Sequence, residues 1–202
     1  MTKVIGLCGP AGSGKSTAAG YLARVYGAKV YAFATPLKQI VGNAFNLAHR
    51  QLYGTQTEKD TTDERYNVSP RWLMQRVGTD GIRAVLGETF WAELTLKEIR
   101  KDRPKFAVIE DVRFESEATS VRFELNRGPF DTTVERLGYV WRFDNPWYVD
   151  DADHPSESEW AKCPYDHSLA PVEKTPEALY RELDQACKKF GIYPHIFDAE
   201  SI

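Results

Sequence analysis

Nine residues near the start of the chain, Gly9-Pro10-Ala11-Gly12-Ser13-Gly14-Lys15-Ser16-Thr17, fit G-x-x-x-x-G-K-[ST] without a substitution. The chemistry explains the spacing. Glycines let the backbone turn tightly and aim successive N–H groups inward, which makes a nest for phosphate oxygens. Lys15 reaches the terminal phosphates of a bound nucleotide, and the Ser16 hydroxyl sits on Mg²⁺. A helix beginning near Gly14 adds its positive end to the same place. An ordinary glycine-rich turn is the bland alternative, and context decides against it. Lys3 to Cys8 is a short apolar run of strand type, and Ser16 to Tyr26 reads as a helix with Ala18, Leu22, Ala23 and Val25 available for packing. Strand, glycine loop and helix form the setting this pattern requires.

Other residues along the chain could serve the same chemistry. Ala28 to Phe33 is a second strand candidate, and Ala34-Thr35-Pro36-Leu37-Lys38 follows it at once, with Pro36 suited to the first turn of a helix running to about Ala48. Ligands of open α/β sheets bind at such carboxyl ends of strands. Lys38 can reach a second phosphate there, or simply face water. Residues 49–69 are polar and read as a mobile excursion over the site, with Arg65 as the substrate contact to watch. Ser69-Pro70 starts a helix with an N-cap serine and a proline at the first position. On it Arg71 and Gln75 share a face at i, i+4 spacing, suited to a phosphate and a base edge, while Trp72, Leu73 and Met74 suit core or pocket wall. Trp91, in the helix that runs to about Arg100, either stacks on a ring or packs in the core.

Lys105 to Arg113 is a buried-type strand ending in Glu110 and Asp111. A carboxylate there can hold Mg²⁺ or its water, and Arg113 can bind the transferring or accepting phosphate; strand-end charges are the plain alternative. Leu137 to Phe143 reads as a fourth strand and Tyr165 to Ala170 as a weak fifth. A short helix is expected to begin at 156–159. A closing helix runs from Pro176 to Phe190, with Leu179, Leu183, Ala186 and Cys187 inward. Five strands alternating with helices predict a three-layer parallel sheet.

Composition sets bounds. The chain has 202 residues, which suits one α/β domain with a small inserted lid. Hydrophobic content of 42% and charged content of 27% are ordinary for a soluble protein. A net charge of −3 offers no global attraction to nucleic acid or anionic membrane, so any anion site must be local. No apolar run approaches the roughly 20 residues of a membrane span. Cys8, Cys163 and Cys187 lack metal-site spacing and suit a reducing cytoplasm.

Taken together, the segments resemble the deoxynucleoside monophosphate kinases of bacteriophages, within the nucleoside monophosphate kinase branch of P-loop proteins. The resemblance rests on residues 9–17 and on Ala-Thr-Pro-Leu-Lys at 34–38. It continues through Arg-Trp-Leu-Met-Gln-Arg-Val-Gly-Thr-Asp at 71–80, Phe-Trp at 90–91 and Glu-Asp-Val-Arg at 110–113. Val-Trp-Arg at 140–142 and Asp-His-Pro-Ser-Glu at 153–157 complete it. It implies a three-layer P-loop NTPase fold with a mostly parallel five-stranded sheet. The single domain would have its core at about 1–48 and 104–190, a helical acceptor-binding segment at about 49–103 and a lid at about 144–162.

The implied reaction moves the ATP γ-phosphate to a deoxynucleoside 5′-monophosphate (dNMP), with Mg²⁺ as cofactor. Gly12, Ser13, Gly14, Lys15, Ser16 and Thr17 would hold ATP, with Ser16 and Asp111 on the metal. Ala11, Leu37, Lys38, Arg65, Arg71, Gln75, Gly78, Thr79, Asp80, Trp91 and Arg113 would shape the acceptor site. Lys15, Arg113, Arg142 and Asp111 would carry the chemistry, and His154 and Glu157 would organise the lid. The implied partners are small molecules, dNMP and ATP, without nucleic acid or membrane. The implied location is the cytoplasm, that of the host for a phage protein, and a homodimer stays open.

The chain departs from the pattern at residues 119–133, which read as an insertion. It departs again at Ala170-Pro171-Val172, which lacks the Asn-Asp-Gly type of turn that often faces adenine. Two rival readings remain. One is a P-loop kinase of another small phosphorylated acceptor, such as dephospho-coenzyme A. The other is a nucleotide-gated switch or ATPase, although the Asn-Lys-x-Asp guanine motif of a GTPase is absent from the sequence.

Overall fold

Strand β1 (Lys3–Cys8) buries its last five residues, so both of its faces must be covered. In the computed structural model, which describes residues 2–123, 138–144 and 158–194, it is the central strand of a five-stranded parallel sheet. The others are β2 (Lys29–Tyr31), β3 (Phe106–Val112), β4 (Gly138–Phe143) and β5 (His167–Leu169), in the order β2-β3-β1-β4-β5. β3 pairs β1 from Lys3↔Phe106 to Gly6↔Ile109 and slips register before Cys8↔Val112. The three-layer parallel sheet expected from the alternation of strands and helices is present.

Side-chain alternation splits the core in two. Ile5, Leu7 and Val108 face helices α1 (Lys15–Tyr26) and α9 (Pro176–Lys189). Val4, Ala107 and Ile109 face α7 (Phe90–Asp102) and α8 (Glu115–Phe123). The β1-to-β2 connection and the β3-to-β4 connection run in opposite directions along the sheet. Right-handed crossovers therefore put their helices on opposite faces. The strand carboxyl ends that flank this reversal, those of β1 and β3, are where the chain leaves room for a ligand.

Local chemistry fixes the flanking helices. α1 ends on Gly27 at φ 67°, whose N–H caps the last turn through the Ala23 carbonyl. That left-handed C-cap is cheap only for glycine. α9 starts on Thr175, whose hydroxyl accepts from Ala178 N–H, with Pro176 at the first turn. Its Leu179, Leu183, Ala186 and Cys187 are buried, as the periodicity predicts.

The stretch between β2 and β3 departs most from expectation. α2 (Ala34–Ala44) starts right after the short β2 and stops before Ala48, because Asn46 turns left-handed at φ 47°. Residues 49–69 hold helices α3 (His49–Tyr53) and α4 (Gln56–Asp60) and an Asp63↔Val68 bridge. The reading of this stretch as a polar excursion overlooked the capping box of Thr55 and Glu58. It also missed Leu52, which packs with Val41, Leu47 and Leu73 in a third small core.

α5 (Pro70–Gln75) is capped by Ser69, as expected, but the helix does not continue as α. Arg76–Arg83 winds as a π segment, in which Ala84 N–H bonds to the Thr79 carbonyl, before one α turn, α6 (Ala84–Leu86). Widened turns of this kind are frequent at functional sites.

The proposed lid and the 119–133 insertion lie largely outside the described residues, as do His154 and Glu157. A 3₁₀ turn, Glu159–Lys162, follows the undescribed stretch and places Trp160 against the core shared by α7 and α8. Among the described residues no helix is long and apolar enough to cross a membrane.

Candidate active site

The loop from Gly9 to Gly14 is built as the sequence demands. Gly9, Gly12 and Gly14 have φ of 150°, 78° and 99°, a region that side-chain-bearing residues rarely adopt. Lys15, the first residue of α1, is buried, and its ammonium donates to the Gly9 carbonyl at 2.7 Å, to the Pro10 carbonyl and to Ser13 Oγ. A buried ammonium held under a glycine nest at a helix N-terminus is an anion-binding arrangement.

The loop opens into a cavity of about 440 Å³. One wall is Ala11, Gly12, Gly14, Lys15, Ser16 and Thr17. The floor is the carboxyl end of β3, with Glu110, Asp111 and Arg113. The far wall comes from the helical stretch: Leu37 and Lys38 from α2, Gln56 and Lys59 from α4, Arg71, Met74 and Gln75 from α5, Gly78 and Thr79 from the π segment, and Trp91 from α7. Segments distant in sequence thus bring lysines and arginines to one space.

These cations crowd each other. Burial lowers the Lys38 ammonium below the usual lysine range, while Asp111 and Glu110 pull it back up and Arg113 lowers it further. The Lys38 ammonium also lies 4.4 Å from the Tyr53 ring centre. Lys59 is lowered too, by burial first and then by Lys38, Arg71 and Arg113. A compact anion would relieve that repulsion. Arg71 is steadied by Asp60 and Gln56 on α4.

Asp111 has a second occupation. Its carboxylate accepts from Phe33 N–H at 2.7 Å and Ala34 N–H at 2.9 Å, which ties the start of α2 to the end of β3. A carboxylate at a helix start also suits the helix dipole. Lone pairs remain for a metal-bound water. The donor set of Ser16 hydroxyl and strand-end carboxylate is hard oxygen, which fits Mg²⁺. That ion takes one or two carboxylates and completes its shell with phosphates and water. Among the described residues no group of three or more His, Cys, Asp or Glu could hold a metal.

Four residues expected at the site stand apart from the cavity wall. Ser13 is buried beneath the loop against Lys15. Arg65 points its guanidinium to Asp63, its Nε–H donating at 2.9 Å, and closes the turn that leads to the Asp63↔Val68 bridge. Asp80 is exposed and pairs with Arg76 one turn away. Arg142 lies on Asp144 at 2.7 Å and 3.8 Å from the Tyr165 ring centre. Trp91 settles between its two readings. It is buried, donates its Nε1–H to the Gly78 carbonyl at 3.2 Å and lines the cavity.

Sequence reasoning also missed residues. Gln56 and Lys59 were hidden in the polar stretch, although the Thr55–Glu58 capping box marks the helix that presents them. Arg83, Phe114 and Glu117 line the cavity as well. Arg83 and Glu117, both buried, form an ion pair, a contact between residues too distant in sequence to be seen there.

No family model matches the chain. A protein of Acanthamoeba polyphaga mimivirus, described as a deoxynucleotide monophosphate kinase, is 34% identical over 192 residues, covering 89% of this chain and 93% of its own length. The chain belongs to the deoxynucleotide monophosphate kinase family. It is therefore an ATP-dependent nucleotide kinase. The deoxynucleoside-5′-monophosphate kinase of Escherichia phage T5 is 35% identical over 91 residues, covering 45% of this kinase and 34% of the phage protein. Among solved structures, shikimate kinase from Aquifex aeolicus is similar over 93% of this chain and 98% of its own, at 16% identity and a TM-score of 0.44. Dephospho-CoA kinase from Campylobacter jejuni is similar over 93% and 97%, at 12% identity and a TM-score of 0.39. The fold assignment of this kinase stands on its own strand order and glycine loop.

Proposed function

We propose that this kinase transfers the γ-phosphate of ATP to the 5′-phosphate of a deoxynucleoside monophosphate, giving ADP and the deoxynucleoside diphosphate. One observation carries the reading. The glycine nest with its buried Lys15 and the cation-lined helical wall open into the same cavity, so two phosphate-bearing ligands can meet end to end. Phosphoryl transfer asks for little else. The acceptor phosphate is already an anionic nucleophile, so positioning and charge stabilisation carry the rate.

In this reading residues 9–17 hold the ATP phosphates, with Lys15 on the outermost oxygens. The Ser16 hydroxyl and Asp111 would hold the Mg²⁺ of Mg·ATP, which would supply positive charge beside the phosphoryl group being moved. Lys38 and Arg71, with Lys59 behind them, grip the acceptor phosphate. Gln75, Gly78, Thr79 and Trp91 from the 49–103 segment wall the nucleoside, joined by Leu37 from α2. Arg113, on the floor between the two, neutralises the moving phosphoryl group.

The test is a coupled ADP-release assay with Mg·ATP against dNMPs, NMPs and dephospho-coenzyme A, run beside Lys15→Ala. ADP release that requires a dNMP and disappears in Lys15→Ala supports the reading. Release without an acceptor makes the protein an ATPase, and turnover with dephospho-coenzyme A alone names a different acceptor.

A further inference from the structure

Arg83 and Glu117 are the buried ionic groups at the cavity that the reaction as described does not use. Arg83 is the last residue of the π segment, and Glu117 lies in the first turn of α8. They are 5% and 3% exposed. The Arg83 guanidinium is largely spent on protein oxygens. One terminal nitrogen donates to the Glu88 carbonyl at 3.0 Å and to Ser116 Oγ at 3.3 Å, and the other pairs with Glu117 Oε1. Its plane lies over the Phe114 ring, 3.7 Å from the ring centre. Nε is buried with no hydrogen-bond partner among the described residues. A fork committed in this way is poorly placed to follow a phosphate.

The other carboxylate oxygen shows what the pair does. Glu117 Oε2 accepts from the backbone N–H of Arg113 at 2.9 Å and of Phe114 at 3.2 Å. The second bond is half of an ordinary helix cap. The first reaches one residue further and fixes the backbone from which the Arg113 side chain springs. Arg83 in turn joins this turn to the segment that carries Gly78 and Thr79 on the acceptor wall. A charge pair this buried costs more in desolvation than a packed apolar pair of the same shape, so stability alone is a weak reason to have it.

We propose that Arg83 and Glu117 form a positioning pair that holds the backbone of Arg113 in register with the acceptor wall. The pair acts through Arg113 and touches neither substrate. This rests on the reading that Arg113 neutralises the transferred phosphoryl group. A displacement of about 1 Å at such a group costs about 100-fold in rate, which sets the scale of the effect.

The experiment is a double-mutant cycle on the full chain, with kcat and both KM values measured for Mg·ATP and an accepted dNMP. Glu117→Ala is expected to lower kcat by about 10- to 100-fold with the KM for ATP within about twofold. In an Arg113→Ala background the same change is expected to cost less than about threefold, because the group it positions is gone. Glu117→Gln, which keeps an oxygen for the two N–H groups and loses the charge, should fall between wild type and Glu117→Ala.

Equal losses in both backgrounds, or an unchanged kcat, would overturn the proposal. So would a rise in acceptor KM alone, which would make the pair a binding contact. If Glu117→Ala does not fold, Glu117→Gln and Arg83→Lys enter the same cycle and are judged by the same criterion. A wild-type protein that turns over no dNMP defeats the functional reading. An active wild type with an additive cycle defeats only this inference.

Discussion

The two sides of the cavity are built by different means. On the side proposed to hold ATP a single loop of contiguous residues presents backbone N–H groups, with conformation set by Gly9, Gly12 and Gly14. On the side proposed to hold the acceptor the cationic groups are side chains, delivered by α2, α4 and α5 and backed by a small core of Val41, Leu47, Leu52 and Leu73. Backbone donors in a local loop cannot be removed one at a time, whereas side-chain cations can. The first side therefore tolerates little change in conformation, and the second can be tuned residue by residue. This contrast predicts where substitutions act.

The largest effect falls on the nucleotide side. Lys15→Ala is expected to cut kcat by about 10³-fold, the order seen when a donor aimed at developing charge is lost, and the unfolding midpoint should hardly move. Parallel turnover and thermal-unfolding measurements check this. Next comes the acceptor side. Arg71→Ala should raise the dNMP KM by about 10- to 100-fold, one charge-assisted contact, while the KM for ATP stays within about twofold. An equal rise in both KM values would mean the two sides are not separate.

The glycines sharpen the contrast. A Cβ on Gly12 meets no atom within 4 Å, yet at φ 78° the alanine is strained by about 1–2 kcal/mol. Gly12→Ala should therefore weaken ATP binding through conformation alone. A Cβ on Gly78, in helical backbone, runs into the Leu37 side chain instead. Gly78→Ala should push Leu37 into the acceptor space and raise the dNMP KM by about 5-fold, while binding of Mg·ATP, followed by calorimetry, stays as in wild type.

How much of this was legible in the sequence follows the same division. The glycine loop, β1, β3, α9 and the Ser69 cap could be read because each depends on neighbouring residues: periodicity, a turn that needs positive φ, a cap four residues long. The acceptor wall was legible where a helical face carries its residues together, as with Arg71 and Gln75. It was illegible where the contact is tertiary. Lys59 reaches the cavity only because α4 folds back on α5, where Asp60 and Gln56 meet Arg71. Arg83 and Glu117 meet across the gap between the π segment and α8. Asp80 was named only through the family resemblance, and no local pattern marks its exposed pairing with Arg76.

A smaller effect concerns stability where the two sides join. Burial pushes the Glu117 carboxyl up to about 7 from an ordinary 4.5, against the opposing pull of Arg83. Between those values the folded protein keeps a proton that the unfolded chain releases, so this group's contribution to stability falls as pH rises from about 4.5 to 7 and then levels off. Raising the pH from 5 to 7.5 should shift the urea midpoint of wild type downward relative to that of Glu117→Gln, since the amide does not titrate. An unchanged difference would mean the carboxyl titrates in the ordinary range. The smallest effect belongs to Asp80→Asn. Its exposed pair with Arg76 lies away from the cavity, and such pairs contribute about 0.3–0.5 kcal/mol, so kcat and both KM values should stay within about twofold.

The most direct test follows the phosphorus atom. ATP labelled in its γ-phosphate is mixed with Mg²⁺, the protein and a single dNMP, and the products are separated. The account predicts label in the β-phosphate of the deoxynucleoside diphosphate, in amounts equal to the ADP formed. Label recovered as inorganic phosphate, at a rate indifferent to the dNMP, would contradict it.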